Sequence, residues 1–200
     1  MHGTDIYNLS HIAGVQPGYL SRSRVRSTTD GTHWLLQARD VSLGNGIRLE
    51  SAARFVPERN PNLYQIHQGD ILLLARGQEH RAFLITENMT DVLASSVFYI
   101  IRPNRKLVLP DFLSWCLNQP DLQAKLEAAS RGTDIGYISR PSVEQLVIAV
   151  PPMETQRQIA QAISLWHRHE TIQARLNQAR EQLIEATCRR AVREQEGATP

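Results

Sequence analysis

The sequence predicts an α+β fold in two parts: a mainly antiparallel sheet or distorted barrel with short helices over residues 1–150, and one long coiled-coil-forming helix over residues 151–200. Two observations carry this. In the first part, short apolar runs follow one another with only brief polar turns between them, the pattern of strands joined locally. In the second, the chain runs from Met153 to Glu196 after Pro151-Pro152 without a Pro or Gly, which reads as a single helix.

The repeat inside that helix decides its type. Leu165, Ile172, Ala179 and Ala186 fall seven apart, with Leu176 and Leu183 interleaved at the same period, which is the seam of a coiled coil. His169 and Arg190 break the seam. A helix of about 40 residues is roughly 60 Å long, longer than a domain formed by the preceding residues is wide. Part of the stripe therefore needs a partner, although periodicity alone also allows it to pack on its own domain.

Taken in order, residues 1–33 are rich in Ser, Thr and Gly, with a short apolar element at 6–13. Arg22, Arg24 and Arg26 alternate with Ser and Val, so an extended strand or hairpin would carry all three on one face, suited to phosphate oxygens. The same pattern also fits a solvated edge strand. Trp34-Leu35-Leu36-Gln37-Ala38 reads as a strand, followed by a turn at Gly44-Asn45-Gly46. Further strands are expected at 71–75, 82–86 and 96–101, with a polar loop, Arg76-Gly77-Gln78-Glu79-His80-Arg81, between the first two. Residues 110–118 and 121–130 read as short helices opened by Pro and Asp. A two-glycine loop, Arg131-Gly132-Thr133-Asp134-Ile135-Gly136-Tyr137-Ile138-Ser139-Arg140, precedes a short helix at 142–145 and a last strand at 146–150.

Composition bounds the rest. At 42 % hydrophobic content, 200 residues hold one domain and an appendage. Cys116 and Cys188 make neither a disulfide framework nor a metal spacing; with no apolar leader they indicate a reduced cytoplasm. No window approaches roughly eighteen apolar residues, so no membrane span is expected. The net charge of +2 does not by itself argue for nucleic acid. Of 22 basic residues only Lys106 and Lys125 are lysine, and the planar fork of arginine matches guanine edges and phosphates; a codon bias would give the same count.

Several stretches together resemble the DNA specificity subunit of type I restriction–modification enzymes. They are Gln37-Ala38-Arg39-Asp40-Val41, Gly69-Asp70-Ile71-Leu72, the Arg76-Gly77 loop, Ala94-Ser95-Ser96, Ile101-Arg102-Pro103 and Pro110-Asp111-Phe112-Leu113. The most specific is Val150-Pro151-Pro152-Met153-Glu154-Thr155-Gln156-Arg157-Gln158-Ile159-Ala160. The resemblance implies a target-recognition domain followed by a helical spacer, a pair that full subunits of the family carry twice. This sequence has the pair once, so a half-size subunit is expected. Two copies would pair their helices antiparallel as a homodimer and read a palindromic, interrupted site. The implied partners are double-stranded DNA, a second copy, a DNA adenine methyltransferase subunit and, where the system has one, a restriction subunit.

No catalytic site is expected, and no cofactor or metal. There is no Asn- or Asp-Pro-Pro-aromatic tetrad of an amino-methyltransferase and no Gly-rich phosphate loop. Pro110-Asp111 is not followed by the Glu-x-Lys or Asp-x-Lys of a nuclease, and His167 and His169 point to different faces of a helix. The chain thus reads as a non-catalytic recognition subunit. Base-edge readers are expected at Arg76, Gln78 and Arg81 in one loop and Arg131, Thr133, Tyr137 and Arg140 in another, with Gln37 and Arg39 nearby. Arg22, Arg24 and Arg26 are the phosphate candidates. Leu165, Ile172, Leu176, Ala179, Leu183 and Ala186 are the partner-helix stripe. Two other readings fit the same residues: a stand-alone DNA-binding regulator, and an assembly adapter working through the coiled coil.

Overall fold

The computed structural model describes residues 3–22, 25, 27–42, 46–77, 79–131 and 136–196, with side chains to 190. The expected turn at 44–45 lies outside these. In chain order the elements are β1 (Asp5–Asn8), α1 (Leu9–Ile12), β2 (Ala13–Pro17), β3 (His33–Leu36), β4 (Val41–Ser42), β5 (Gly46–Ile47), β6 (Ala53–Phe55), β7 (Ile71–Leu74), β8 (Ala82–Leu84), β9 (Val92–Ala94) and β10 (Phe98–Pro103). There follow α2 (Pro110–Leu117), α3 (Pro120–Ser130), α4 (Arg140–Glu144), β11 (Val147–Val150) and α5 (Met153–Glu196). The chain divides into two compact units, Met1–Gln161 and Ala162–Pro200.

The first unit is organised by β10. It is the longest strand and lies inside an antiparallel sheet of order β2-β10-β7-β8. Because side chains alternate along a strand, its run Phe-Tyr-Ile-Ile feeds two cores. Tyr99 and Ile101, with Ile71 and Leu73 of β7, face Phe112, Leu113 and Leu117 of α2 and Leu122 and Leu126 of α3. Phe98 and Ile100, with Leu72, face Leu36 of β3 and Val92 and Ala94 of β9. The sheet is thus covered on one side by helices and on the other by a three-stranded sheet, β6-β3-β9. Each of these buried Phe, Ile or Leu side chains contributes about 1.5–3 kcal/mol.

The expected α+β class and the mainly antiparallel pairing are as read from the sequence, but the sheet does not close into a barrel. A sheet apolar on both faces buries both against separate layers, so nothing drives its edges together. One pair, β3 with β9, is parallel. Parallel neighbours need a long crossover, and residues 37–91, which include β7 and β8 of the other sheet, supply it. Strand ends also move: β10 begins at Phe98 because Ser96 and Val97 form a turn closed by the Phe98 N–H on the Ser95 carbonyl, 3.0 Å.

Three polar side chains fasten the helices to this frame. Asn118, at the end of α2, accepts the Ala82 N–H at 3.0 Å and donates to the Ala82 carbonyl at 2.8 Å, satisfying both main-chain groups of one residue on the open edge of β8. Gln123 of α3 donates to the His80 carbonyl at 2.9 Å and to the Leu117 carbonyl at 2.7 Å. Gln156, in the second turn of α5, is buried at 1 % exposure. It accepts the Leu109 N–H at 2.8 Å and donates to the carbonyls of Pro151 and Leu107 at 2.8 and 3.1 Å. The Gln of the Pro-Pro stretch therefore satisfies an orphan donor at the start of α2.

The second unit is helical. The 44 residues of α5 give a rise of about 66 Å. Leu165, Ile172, Leu176 and Leu183 are exposed, Leu183 by 68 %. Among the described residues no helix is long and apolar enough to cross a membrane.

Candidate nucleic-acid interface

Two loops expected as separate candidates are one structure. The β7–β8 loop meets the loop between α3 and α4 through an antiparallel bridge of Arg76 with Tyr137. The Ile138 N–H donates to the Ala75 carbonyl at 3.0 Å and the Gly77 N–H to the Gly136 carbonyl at 3.3 Å. Gly136 adopts φ +58°, and a Cβ there would lie 2.5 Å from the Gly77 carbonyl oxygen. Glycine is thus required by conformation and by space.

Side chains build on this backbone junction. The Tyr137 hydroxyl lies 2.7 Å from that of Tyr99, which donates to the Ile138 carbonyl at 2.9 Å. Tyr99 is a buried residue of β10. Its ionisation is pushed above the ordinary phenol range by burial first and then by Tyr137, while the positive charges of Arg140 and Arg76 pull the other way. The exposed Arg76 places its guanidinium carbon 5.3 Å from the Tyr137 ring centre, a cation–π contact. Arg76, Tyr137 and Arg140 are therefore gathered around one buried phenol.

The charges differ in how far they are neutralised. Arg140 pairs with Glu144 at 2.8 Å and Arg81 with Glu79 at 3.2 Å. Among the described residues Arg76 has no carboxylate partner. Arg131 is exposed at the end of α3, where its N–H donates to the Glu127 carbonyl. Gln78 and Thr133 lie outside the described residues.

Other expected residues belong to different features. Gln37 and Arg39 flank Asp40, a fully buried carboxylate. The Gln37 N–H reaches Asp40 Oδ2 at 2.9 Å, Ser51 donates to Oδ1 at 2.8 Å, and Arg39 Nε lies 3.6 Å from Oδ1 with its side chain 66 % exposed. Asp70 plays a similar part, accepting the His67 N–H at 2.9 Å and Arg102 Nε at 3.4 Å. Both carboxylates are internal fasteners. Arg22 is exposed at a bend; Arg24 and Arg26 lie outside the described residues. The described members of 21–27 lie in no strand, because Ser27 Oγ accepts the Arg54 N–H at 3.2 Å and the Thr28 N–H donates to the Arg54 carbonyl at 2.8 Å, a single cross-link rather than a ladder.

Residues that sequence reasoning passed over are Tyr99, Asn118 and Gln123. The available signal was a phenol inside an aliphatic strand, since a buried hydroxyl needs a partner. Among the described residues no group of three His, Cys, Asp or Glu could hold a metal ion.

Residues 53–185 match the type I restriction modification DNA specificity domain, and the chain belongs to that family. It is 32 % identical over 124 residues to the specificity subunit of the type I restriction enzyme HindI of Haemophilus influenzae, covering 60 % of this chain and 27 % of that protein. In fold it is similar to the HsdS subunit of Thermoanaerobacter tengcongensis, with TM-score 0.61 and 21 % identity over 92 % of this chain and 45 % of that one. A chain from structural work on complex assembly and conformational transition of the type I R-M system gives TM-score 0.65 and 20 % identity, over 96 % of this chain and 49 % of that one. The chain thus spans just over a quarter of the curated relative and under half of these solved ones. The expectation of a specificity subunit agrees with this family, described as one of DNA specificity.

Proposed function

We propose that this chain reads DNA sequence for a type I restriction–modification enzyme, as a half-size specificity subunit that pairs its long helix with a second copy. The observation that carries the reading is the span of the family match, 53–185, which takes in both halves of the loop junction and most of α5. Residues 1–150 act as the recognition domain and 151–200 as spacer and dimerisation helix. Arg76, with Gln78, Arg81, Arg131, Thr133, Tyr137 and Arg140 around it, approaches base edges; Gln37 and Arg39 lie to the side; Arg22, Arg24 and Arg26 hold phosphates.

The stripe of Leu165, Ile172, Leu176, Ala179, Leu183 and Ala186 supports pairing, since exposed apolar area costs about 25 cal/mol per Å² while it stays in water. Two identical readers related by a two-fold axis face opposite ways on a duplex, so the site is palindromic and interrupted. The assembled helices recruit the adenine methyltransferase subunit and a restriction subunit where one exists. The free thiols of Cys116 and Cys188 suit a reducing cytoplasm.

Light scattering of the purified chain, alone and with the adenine methyltransferase subunit of a type I system, tests this. The expected mass is twice 22.6 kDa, growing when the methyltransferase is added. A monomer indifferent to the methyltransferase, which also enriches no sequence from a randomised duplex library, would overturn the reading.

A further inference from the structure

We infer that Tyr99 is a positioning residue for sequence reading: its buried hydroxyl locks the Tyr137 ring as a platform that holds Arg76 edge-on to a base. This rests on the proposal above that the loop junction faces DNA. Tyr99 is 2 % exposed on the strand between β2 and β7, where an unpaired hydroxyl is costly. It has one proton, given to the Ile138 carbonyl at 2.9 Å. The 2.7 Å contact with Tyr137 is then a bond that Tyr99 accepts, which turns the Tyr137 hydroxyl inward and its ring toward Arg76.

The guanidinium carbon lies over that ring, 5.3 Å from its centre, so the ring limits where the fork can swing, and among the described residues no carboxylate takes its N–H groups. A planar fork presented edgewise matches two adjacent acceptors in one plane, the O6 and N7 of guanine in a major groove. The backbone bridge between Arg76 and Tyr137 fixes where the fork begins, and the Tyr99 bond fixes the surface it lies on. The reader is thereby referred to the central strand of the core rather than to a loop, and side chains locked by a supporting layer keep their geometry. Arg140, held on Glu144, lies over no ring among the described residues and serves as a charge.

The test is selection from a randomised duplex library with the full chain, comparing the unaltered protein with Y99F, Y137F and R76A. The unaltered protein should enrich a motif with one position demanding guanine. R76A should flatten that position. Y99F and Y137F should each reduce discrimination there about five- to tenfold, with no further loss in the double variant, while the salt dependence of binding stays unchanged because no phosphate contact is lost. Thermal unfolding of each variant is measured alongside, and Y137F, altered at the half-buried end of the pair, carries the test if Y99F fails to fold. Enrichment equal to the unaltered protein in Y99F and Y137F would overturn the platform and leave the recognition function standing. Uniform weakening at all positions would reduce Tyr99 to a fold residue. Failure of the unaltered protein to enrich any motif would overturn the function and the platform with it.

Discussion

Gln156→Ala is the sharpest probe of how the first unit holds the start of α5. The side chain is 1 % exposed and makes three hydrogen bonds to main-chain groups. Its removal leaves the Leu109 N–H without a partner and takes one donor each from the Leu107 and Pro151 carbonyls. A buried N–H stripped of its partner costs about 1–3 kcal/mol; each carbonyl has a second lone pair and loses about 0.5 kcal/mol, so the total should be about 2–4 kcal/mol. At about 2–4 °C per kcal/mol for a chain of this size, Tm should fall by roughly 5–15 °C. Q156E is the informative companion. One carboxylate oxygen still accepts from Leu109, but the other replaces the amide nitrogen and faces two carbonyls, so the variant should be no better than Ala at neutral pH. It should recover at low pH, where the protonated acid donates to one carbonyl. The assay is urea unfolding followed by the emission of Trp34 and Trp115. A loss below about 0.5 kcal/mol for Q156A would refute the claim that this glutamine fastens the helix, since that is the range of ordinary surface substitutions.

Two other outcomes are expected. Cys188 is exposed while Cys116 is buried in α2, its thiol pushed up to about 12 by burial and the nearby charge of Asp121. A disulfide reagent at mildly basic pH should therefore consume one thiol quickly and the second only on unfolding; two fast thiols would contradict the packing of α2. Because the unfolded thiol ionises near its ordinary value of 9.0 and the folded one resists up to about 12, stability should fall as pH rises through that window. The paired variant Ile172→Glu with Leu183→Glu should return the scattering mass to 22.6 kDa without moving the melting of the first unit; a persistent dimer would place the contact elsewhere than the stripe.

Apolar runs and helix punctuation made most elements legible. The strands at 71–74 and 147–150 and both short helices opened by Pro110 and Pro120 follow from local pattern, because each buries an apolar face, and α5 follows from its lack of Pro and Gly. What local pattern could not carry was pairing across distance. The parallel β3–β9 pair joins segments more than fifty residues apart in sequence, and the absence of a barrel depends on both faces of one sheet finding separate cover. The same limit acted at the candidate site. Arg76 and Tyr137 were each legible as loop residues with useful chemistry, but nothing in either loop announces that their main chains pair. Gln37 and Arg39 lie beside Asp40, whose burial makes that stretch a fastener, and a motif remembered by its sequence does not say which of its residues face inward.

The junction of the two loops is made from main-chain groups and two glycines, not from side chains. A frame of that kind does not depend on what exposed neighbours carry, so substitution of Glu79 should leave the Gly77–Gly136 contact and the Arg76–Tyr137 bridge intact. Loop side chains beyond the Tyr99–Tyr137 pair are thereby separate from the support beneath them: the groups offered at the surface can be exchanged one at a time without refolding it. A surface built this way can change the groups it offers faster than it changes its shape.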